Sequence, residues 1–270
     1  MHGNEDPGKH VSAMKIAVSG KGGVGKTTFV AILARILAEE GRKPIAIDAD
    51  PDANLASAIG VPAEANLTPI GQMRDLISER TGATPESYGK FFKMNPNVSD
   101  LPEKFSVERA GVRLMVLGGV YRGGGGCACP ENVFLKALLT HLILHREEDA
   151  IVDMEAGIEH LGRATVQAVD ALIVVVEPGR RSVRTAHEVK SLAADLGIKR
   201  VAAVGNKVKE EAHIQFMRAE LGELPLLGTM SYSDDLIRAD LSGRPSYESD
   251  PDVVEEVRAI WTKLQEFVNT

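Results

Sequence analysis

Between residues 20 and 28 the chain reads GKGGVGKTT. A glycine-rich turn that opens a helix points its backbone N–H groups at an anion, so the chemistry here is phosphate binding. Two phosphate chemistries compete for the stretch. Gly20, Gly22 and Gly25 satisfy G-x-G-x-x-G, and Asp48 ends the next predicted strand, as a dinucleotide site requires. The longer pattern Gly20-x-x-x-x-Gly25-Lys26-Thr27 adds a cation and a hydroxyl directly after the last glycine. A pyrophosphate held on one helix N-terminus needs neither. A nucleoside triphosphate needs both, Lys26 for its β/γ oxygens and Thr27 for the accompanying magnesium ion. That decides for the triphosphate, with Gly22, Gly23, Val24, Gly25, Lys26, Thr27 and Thr28 as its cradle.

A second chemistry lies in GGGGCACPEN, residues 123–132, which holds the chain's two cysteines, Cys127 and Cys129. A closed site for a soft or borderline metal takes four thiolates, or two with nitrogen ligands. One C-x-C loop supplies only two sulfurs. Pro130 suits the first position of a helix, which puts Cys129 at the N-cap, where the helix dipole favours a thiolate. The glycines at 123–126 let the loop backbone approach another surface closely. A disulfide across one residue is geometrically awkward, and two cysteines with only a packing role remain an alternative. His141 and His145 stand at i,i+4 in a leucine-rich helix downstream. Partial burial or a solvent edge is their simpler reading, and metal ligation the other. Arg180 and Arg181 read as a solvated helix start.

These groups need a scaffold, and the hydrophobic pattern supplies one. Strands are predicted over 15–20, 44–50, 113–119, 149–154, 171–177, 200–206 and 224–229. Helices are predicted over 26–40, 131–147, 181–196, 210–221 and 252–268, with another near 160–168. Strands that are apolar throughout, joined by helical crossovers, specify an α/β fold: a single P-loop domain, its mostly parallel central sheet flanked by helices. Residues 82–110, rich in prolines, glycines and charges, read as a segment inserted into that domain. The domain itself covers 14–270, behind a disordered extension at 1–13.

Composition narrows the partners. Aromatic residues make up 4% of the 270, too few for a base-stacking surface, and the formal charge of −7 argues against a nucleic acid partner. The polar start lacks the apolar core of a signal peptide, and the longest apolar runs are too short to span a bilayer. The expected location is cytoplasmic, away from membranes, where thiols turn to metals or redox chemistry rather than disulfides.

Lys21, within KGGVGKTT, makes the phosphate loop resemble the deviant Walker A motif of the MinD, ParA and nitrogenase iron protein family. The resemblance implies an ATPase that closes as a homodimer around ATP, with ADP as product. Lys21 would cross to the partner's phosphates and act with Lys26 as a catalytic cation. DADPDANL, 48–55, resembles the family's first switch, which implies that Asp50 orients or deprotonates the attacking water and that Asp48 lies nearer the magnesium. VDMEAG, 152–157, resembles the second switch, with Asp153 holding a magnesium-bound water and Gly157 as a pivot. Taken alone, Asp153 is equally well read as a capping residue. Asn206-Lys207 resembles the adenine-reading position, where an Asn amide can pair with the base edge. The segment MSYSDD after Thr229 departs from the family's proline-tyrosine-aspartate form.

CACPENVFLKALL and VDMEAGIEHLGR narrow the resemblance to the CooC-type ATPases, with the related AcsF proteins. This subgroup matures carbon monoxide dehydrogenase and the acetyl-CoA synthase complex by nickel insertion. It implies a metallochaperone whose two-fold axis joins two copies of Cys127 and Cys129 around Ni2+ or Zn2+, with carbon monoxide dehydrogenase or acetyl-CoA synthase as client. Two rivals are an iron–sulfur reductase, whose two cysteines lie far apart in sequence, and a positioning ATPase of the MinD or ParA kind. The acid-rich segment 250–270 is unsuited to anchoring on an anionic membrane.

Overall fold

The computed structural model describes residues 13–83, 92–118, 129–156 and 163–270. The N-terminal extension over 1–12, Cys127 with the glycines before it, and Gly157 lie outside the described residues.

The chain alternates as predicted. Strand β1 (Lys15–Ser19) feeds helix α1 (Lys26–Glu39), and β2 (Pro44–Asp48) is followed by α2 (Leu55–Ile59) and α3 (Arg74–Thr81). Next come α4 (Leu101–Phe105), β3 (Val107–Arg109), β4 (Val112–Val116), α5 (Pro130–Leu144), β5 (Asp149–Asp153) and α6 (Arg163–Gln167). The second half runs β6 (Ala171–Val176), α7 (Arg180–Leu196), β7 (Val201–Val208), α8 (Glu211–Leu221), β8 (Leu226–Ser231), α9 (Asp234–Ser242) and α10 (Pro251–Asn269). Eight strands form one sheet in the order β3-β4-β2-β5-β1-β6-β7-β8. Seven pair in parallel, and only the short edge strand β3 runs antiparallel, against β4.

Both faces of this sheet are covered, which is why β1, β2, β5 and β6 are buried along their whole length. One core packs α5, α7 and α8 on the sheet through Phe134, Leu138, Val183, Val189 and Met217. The other packs α1 and α10 through Phe29, Leu33, Val257, Ile260 and Trp261. The apolar stripe of α10 is spent on this core, and Asp250 caps the helix by accepting from the N–H groups of Asp252 and Val253. Among the described residues no helix is long and apolar enough to cross a membrane.

Some boundaries differ from the sequence reading. The strand expected over 200–206 continues to Val208, because a bulge lets Val208 pair with Ser231. The strand expected to end at Thr229 runs to Ser231, and part of MSYSDD opens α9, with Ser233 accepting from the Leu236 N–H at 3.1 Å. Of the segment read as an insertion, the described part contributes β3 to the sheet and buries Val98 and Leu101 in the α5 core. Five-residue helices such as α2 and α4 are too short to establish a 3.6-residue period, so hydrophobic patterning passes over them.

The N-terminal edge of the sheet is held by a buried polar cluster. Asp149 accepts from the Met14 N–H at 2.8 Å and from Arg42, whose Nε lies 2.7 Å away. Arg42 and Asp149 are both largely buried, and the guanidinium also covers the Trp261 ring. Removing one partner leaves the other charge without compensation in the interior, which costs about 3–5 kcal/mol. Asp149→Ala is therefore expected to lower the urea-unfolding free energy by about 3 kcal/mol. The double replacement Arg42→Met/Asp149→Leu should recover part of that loss. Equal losses in the single and double variants would show that the pair contributes nothing of its own.

Candidate functional site

The carboxyl ends of β2, β5, β1 and β6 meet at one edge of the sheet, and every phosphate-directed residue lies there. An open parallel sheet gathers ligands at this edge. The turn after β1 is possible only with glycine at two points. A Cβ on Gly20 would stand 2.5 Å from the Val175 carbonyl oxygen, and one on Gly25, at φ +95°, would collide with the Asn206 amide. Gly25 is the N-cap of α1, with no side-chain cap over the helix end and no acidic residue in its first turn. The arrangement suits an anion.

Lys26 is buried, and its ammonium lies 3.6 Å from Asp50. Thr27 donates its hydroxyl to Asp153 Oδ2 at 2.6 Å. The other oxygen, Asp153 Oδ1, is buried and meets no hydrogen-bond donor among the described residues. A carboxylate oxygen left open beside a threonine hydroxyl fits a hydrated divalent cation such as magnesium. Burial pushes the Asp153 carboxyl up to about 6, against the opposing pull of Thr27 and Lys26.

Asp48 does different work. It stands in register with Asp153 on the adjacent strand and is fully buried. Its Oδ2 accepts from the Leu55 N–H at 2.9 Å and its Oδ1 from the Asp50 N–H at 3.3 Å, so both oxygens tie down the loop between β2 and α2. Burial raises this carboxyl to about 7 despite those bonds, and the neighbouring Asp153 adds to the effect. Asp48 thus anchors the segment that carries Asp50; neither it nor Asp153 is among the residues lining the cleft.

The cleft itself has a volume of about 720 Å³, the scale of a small-molecule site. Its walls run from Gly22, Gly23, Gly25, Lys26, Thr27 and Thr28, past Asp50, to Ser231, Tyr232 and the α9 residues Leu236 and Ile237. Val24 turns its side chain into the core instead. Lys21 is exposed and does not line the cleft of its own chain. Asn206 lies in β7 rather than after it. Its Nδ2 donates to the Val24 carbonyl at 2.7 Å and its Oδ1 accepts from the Lys207 N–H at 2.7 Å, so the amide first braces the phosphate loop. One N–H and one lone pair are left for a ligand.

Sequence reasoning missed the partner of that brace. Lys207 adopts φ +58°, uncommon for a residue with a Cβ. Its Nζ donates to the Gly23 carbonyl at 2.6 Å and lies 3.3 Å from Glu177. The Asn206-Lys207 resemblance pointed to the position, but nothing in the pattern of a strand reveals the left-handed backbone or the contact with Gly23. Tyr232, in the segment MSYSDD read as the place of a base-contacting loop, has its ring covered by the Lys209 ammonium at 4.0 Å.

Of the two cysteines, Cys129 is the half-buried N-cap of α5 in an extended conformation, with Pro130 at the first helical position as the sequence predicts. Leu135 and Leu139 of that helix face Ala49 and Met154, the residues directly after Asp48 and Asp153. At its other end the rings of His141 and His145 lie 5.5 Å apart. Partial burial holds the His141 imidazole below its usual range, and the neighbouring His145 and Arg146 work in the same direction. Among the described residues no group of three or more His, Cys, Asp or Glu side chains is arranged to hold a metal ion.

Comparison with known proteins agrees with this geometry. Residues 15–246 match the CobQ/CobB/MinD/ParA nucleotide binding domain. The carbon monoxide dehydrogenase accessory protein CooC of Rhodospirillum rubrum is 47% identical over 94% of this chain and 97% of its own. An uncharacterised ATP-binding protein of Methanocaldococcus jannaschii is 43% identical over 95% of this chain and 100% of its own. Among solved structures, the MinC:MinD cell division complex of Aquifex aeolicus has a chain that superposes with a TM-score of 0.65 at 21% identity, covering 96% of both chains, a likeness of fold alone. The chain belongs to the CobQ/CobB/MinD/ParA nucleotide-binding family and is a P-loop ATPase of that family, similar over nearly its whole length to the CooC accessory protein.

Proposed function

We propose that the chain is an ATP-hydrolysing metallochaperone that works as a homodimer and inserts nickel into carbon monoxide dehydrogenase or acetyl-CoA synthase. The observation that carries this reading is the position of α5. One helix begins at Cys129 and packs against both segments that follow the buried aspartates, so it can report their state to the cysteine loop. The kinship with a carbon monoxide dehydrogenase accessory protein supplies the class of client.

In this mechanism the triphosphate lies on the loop N–H groups, and its γ-phosphate draws the Lys26 ammonium away from Asp50. The released Asp50 carboxylate then orients the attacking water and takes its proton. Magnesium, when bound, would be held by the Thr27 hydroxyl and, through a water, by Asp153, and would supply positive charge to the phosphate oxygens. Lys21, outside its own cleft, reaches the partner's phosphates and stabilises the charge of the transferring group. Adenine meets the remaining amide donor of Asn206 at the Tyr232 end of the cleft. Two-fold symmetry doubles Cys127 and Cys129 into a four-sulfur site for the nickel cargo, with Zn2+ as a surrogate. Hydrolysis relaxes the loops after Asp48 and Asp153, α5 follows, and the cysteine pairs separate.

Three outcomes test the reading. Lys26→Ala should abolish nucleotide binding, whereas Asp50→Ala should retain ATP and accumulate a dimer in light scattering; normal turnover by the Asp50 variant would remove it from the catalytic role. Cys127→Ala/Cys129→Ala should leave nucleotide binding near normal and abolish dimer-bound nickel, and a tight nickel ion surviving in each dimer would disprove the shared cysteine site. The third is pH dependence. The Asp153 carboxyl is raised to about 6, so its ligand form disappears as the pH falls through that value. Magnesium-dependent ATP binding should weaken between pH 7 and pH 5 by about tenfold per unit below the pKa. Asp153→Asn should abolish both the magnesium requirement and this slope.

A further inference from the structure

The last turn of α5 carries chemistry that the nucleotide cleft and the cysteine loop do not use. His141 and His145 stand one helical turn apart on the same face, with ring centroids 5.5 Å apart and the planes inclined at 35°. His141 is half-buried and His145 exposed. Both line a groove between α5 and the segment 94–99, together with Thr140 and the strongly exposed Met94. The groove has a volume of about 510 Å³ and is open to solvent.

Neither ring is engaged in holding the fold. No hydrogen bond from a ring nitrogen of either histidine is seen among the described residues, in contrast to His187, whose Nε2 lies 2.9 Å from the Glu220 carbonyl oxygen. Two imidazoles at i,i+4 on a helix are the spacing by which one helix face grips a divalent transition metal with two nitrogens. The helix end also favours a cation, because the carbonyl groups of the last turn carry the negative end of the dipole. Two cations stand nearby: Lys136 lines the same groove, and Arg146, which helps hold the His141 imidazole below its usual range, is paired with Glu103 at 2.6 Å and Glu148 at 2.5 Å.

We propose that His141 and His145 form a second metal site, an open one that holds a divalent transition-metal ion of the Ni2+ or Zn2+ class by two imidazole nitrogens, with water completing the coordination. Imidazole suits these ions, and an open coordination sphere lets the ion leave again. The site is separate from the cysteines: it lies 12 residues further along α5, about 18 Å at the rise of an α-helix. Its use as a station from which cargo passes to Cys127 and Cys129 rests on the function proposed above, but its existence as a binding site does not.

The experiment uses untagged full-length protein with Cys127→Ser/Cys129→Ser, titrated with Ni2+ alone and followed by calorimetry and by paramagnetic shifts of the imidazole proton resonances. The expected result is about one weakly held nickel per chain, with the His141 and His145 resonances shifted. His145→Gln, at an exposed position, should abolish that binding while leaving the urea midpoint and ATP binding unchanged, and His141→Gln should do the same to nickel. Absence of nickel binding in the cysteine-free protein, or binding that survives both histidine replacements, would overturn the site. Loss of tight dimer-bound nickel on cysteine replacement is read separately, so failure of the histidine site leaves the cysteine reading standing, and the reverse.

Discussion

Two acids buried side by side set the terms for this molecule. Asp48 and Asp153 close adjacent parallel strands in register, each nearly inaccessible to solvent, and burial drives both carboxyls far above the ordinary range. Such a pair is tolerated only where neighbours compensate it. Asp48 is compensated by the backbone, through the N–H groups of Leu55 and Asp50. Asp153 is compensated by one hydroxyl and by the field of Lys26, with one oxygen left over. That asymmetry assigns their work. The fully bonded acid shapes a loop, and the partly bonded one is open to a cation.

The remaining polar contacts keep the phosphate loop in shape around that open oxygen. Asn206 and Lys207 reach from β7 to the carbonyls of Val24 and Gly23, turning two acceptors away from the cleft and leaving the loop's N–H side to face an anion. The left-handed backbone at Lys207 and the bulge beside it are local costs that aim the two side chains in this direction. Among the described residues Lys26 pairs with Asp50 alone. If Asp50 acts on the attacking water as proposed, a phosphate that captures the lysine would also release the acid, linking binding to chemistry through one ammonium group.

Much of this was legible from residue types and spacing, and the limits have physical causes. The buried strands and long helices declare themselves because a parallel sheet covered on both faces demands continuous apolar runs. Lys26 and Thr27 are readable because their motif places them directly at one helix N-terminus, whereas Asp50 was implied only by the resemblance of DADPDANL to a switch segment. Asp48 was expected nearer the magnesium, and nothing in DADPDANL reveals that both its oxygens accept from the backbone N–H groups of Leu55 and Asp50; only the folded loop does. Asn206 was read as a base contact, and the sequence carries no sign that its amide also braces the Val24 carbonyl of the phosphate loop. Lys207 depends on a backbone angle, and α2 and α4 on tertiary packing, neither of which leaves a periodic trace.

One element connects every part of the proposed activity, and its position follows from the sheet order. α5 connects β4 to β5 across β2, and its Leu135 and Leu139 line a small cavity with Ala49 and Met154, the residues after Asp48 and Asp153. Its buried face, with Phe134, Leu135, Leu138 and Leu139, belongs to the core, which makes the helix a rigid body rather than a flexible tether. On the function proposed above, a helix that faces both segments would carry the thiol at its N-cap and the imidazoles of its last turn with them, coupling metal handling to the phosphate site through packing, without a shared residue.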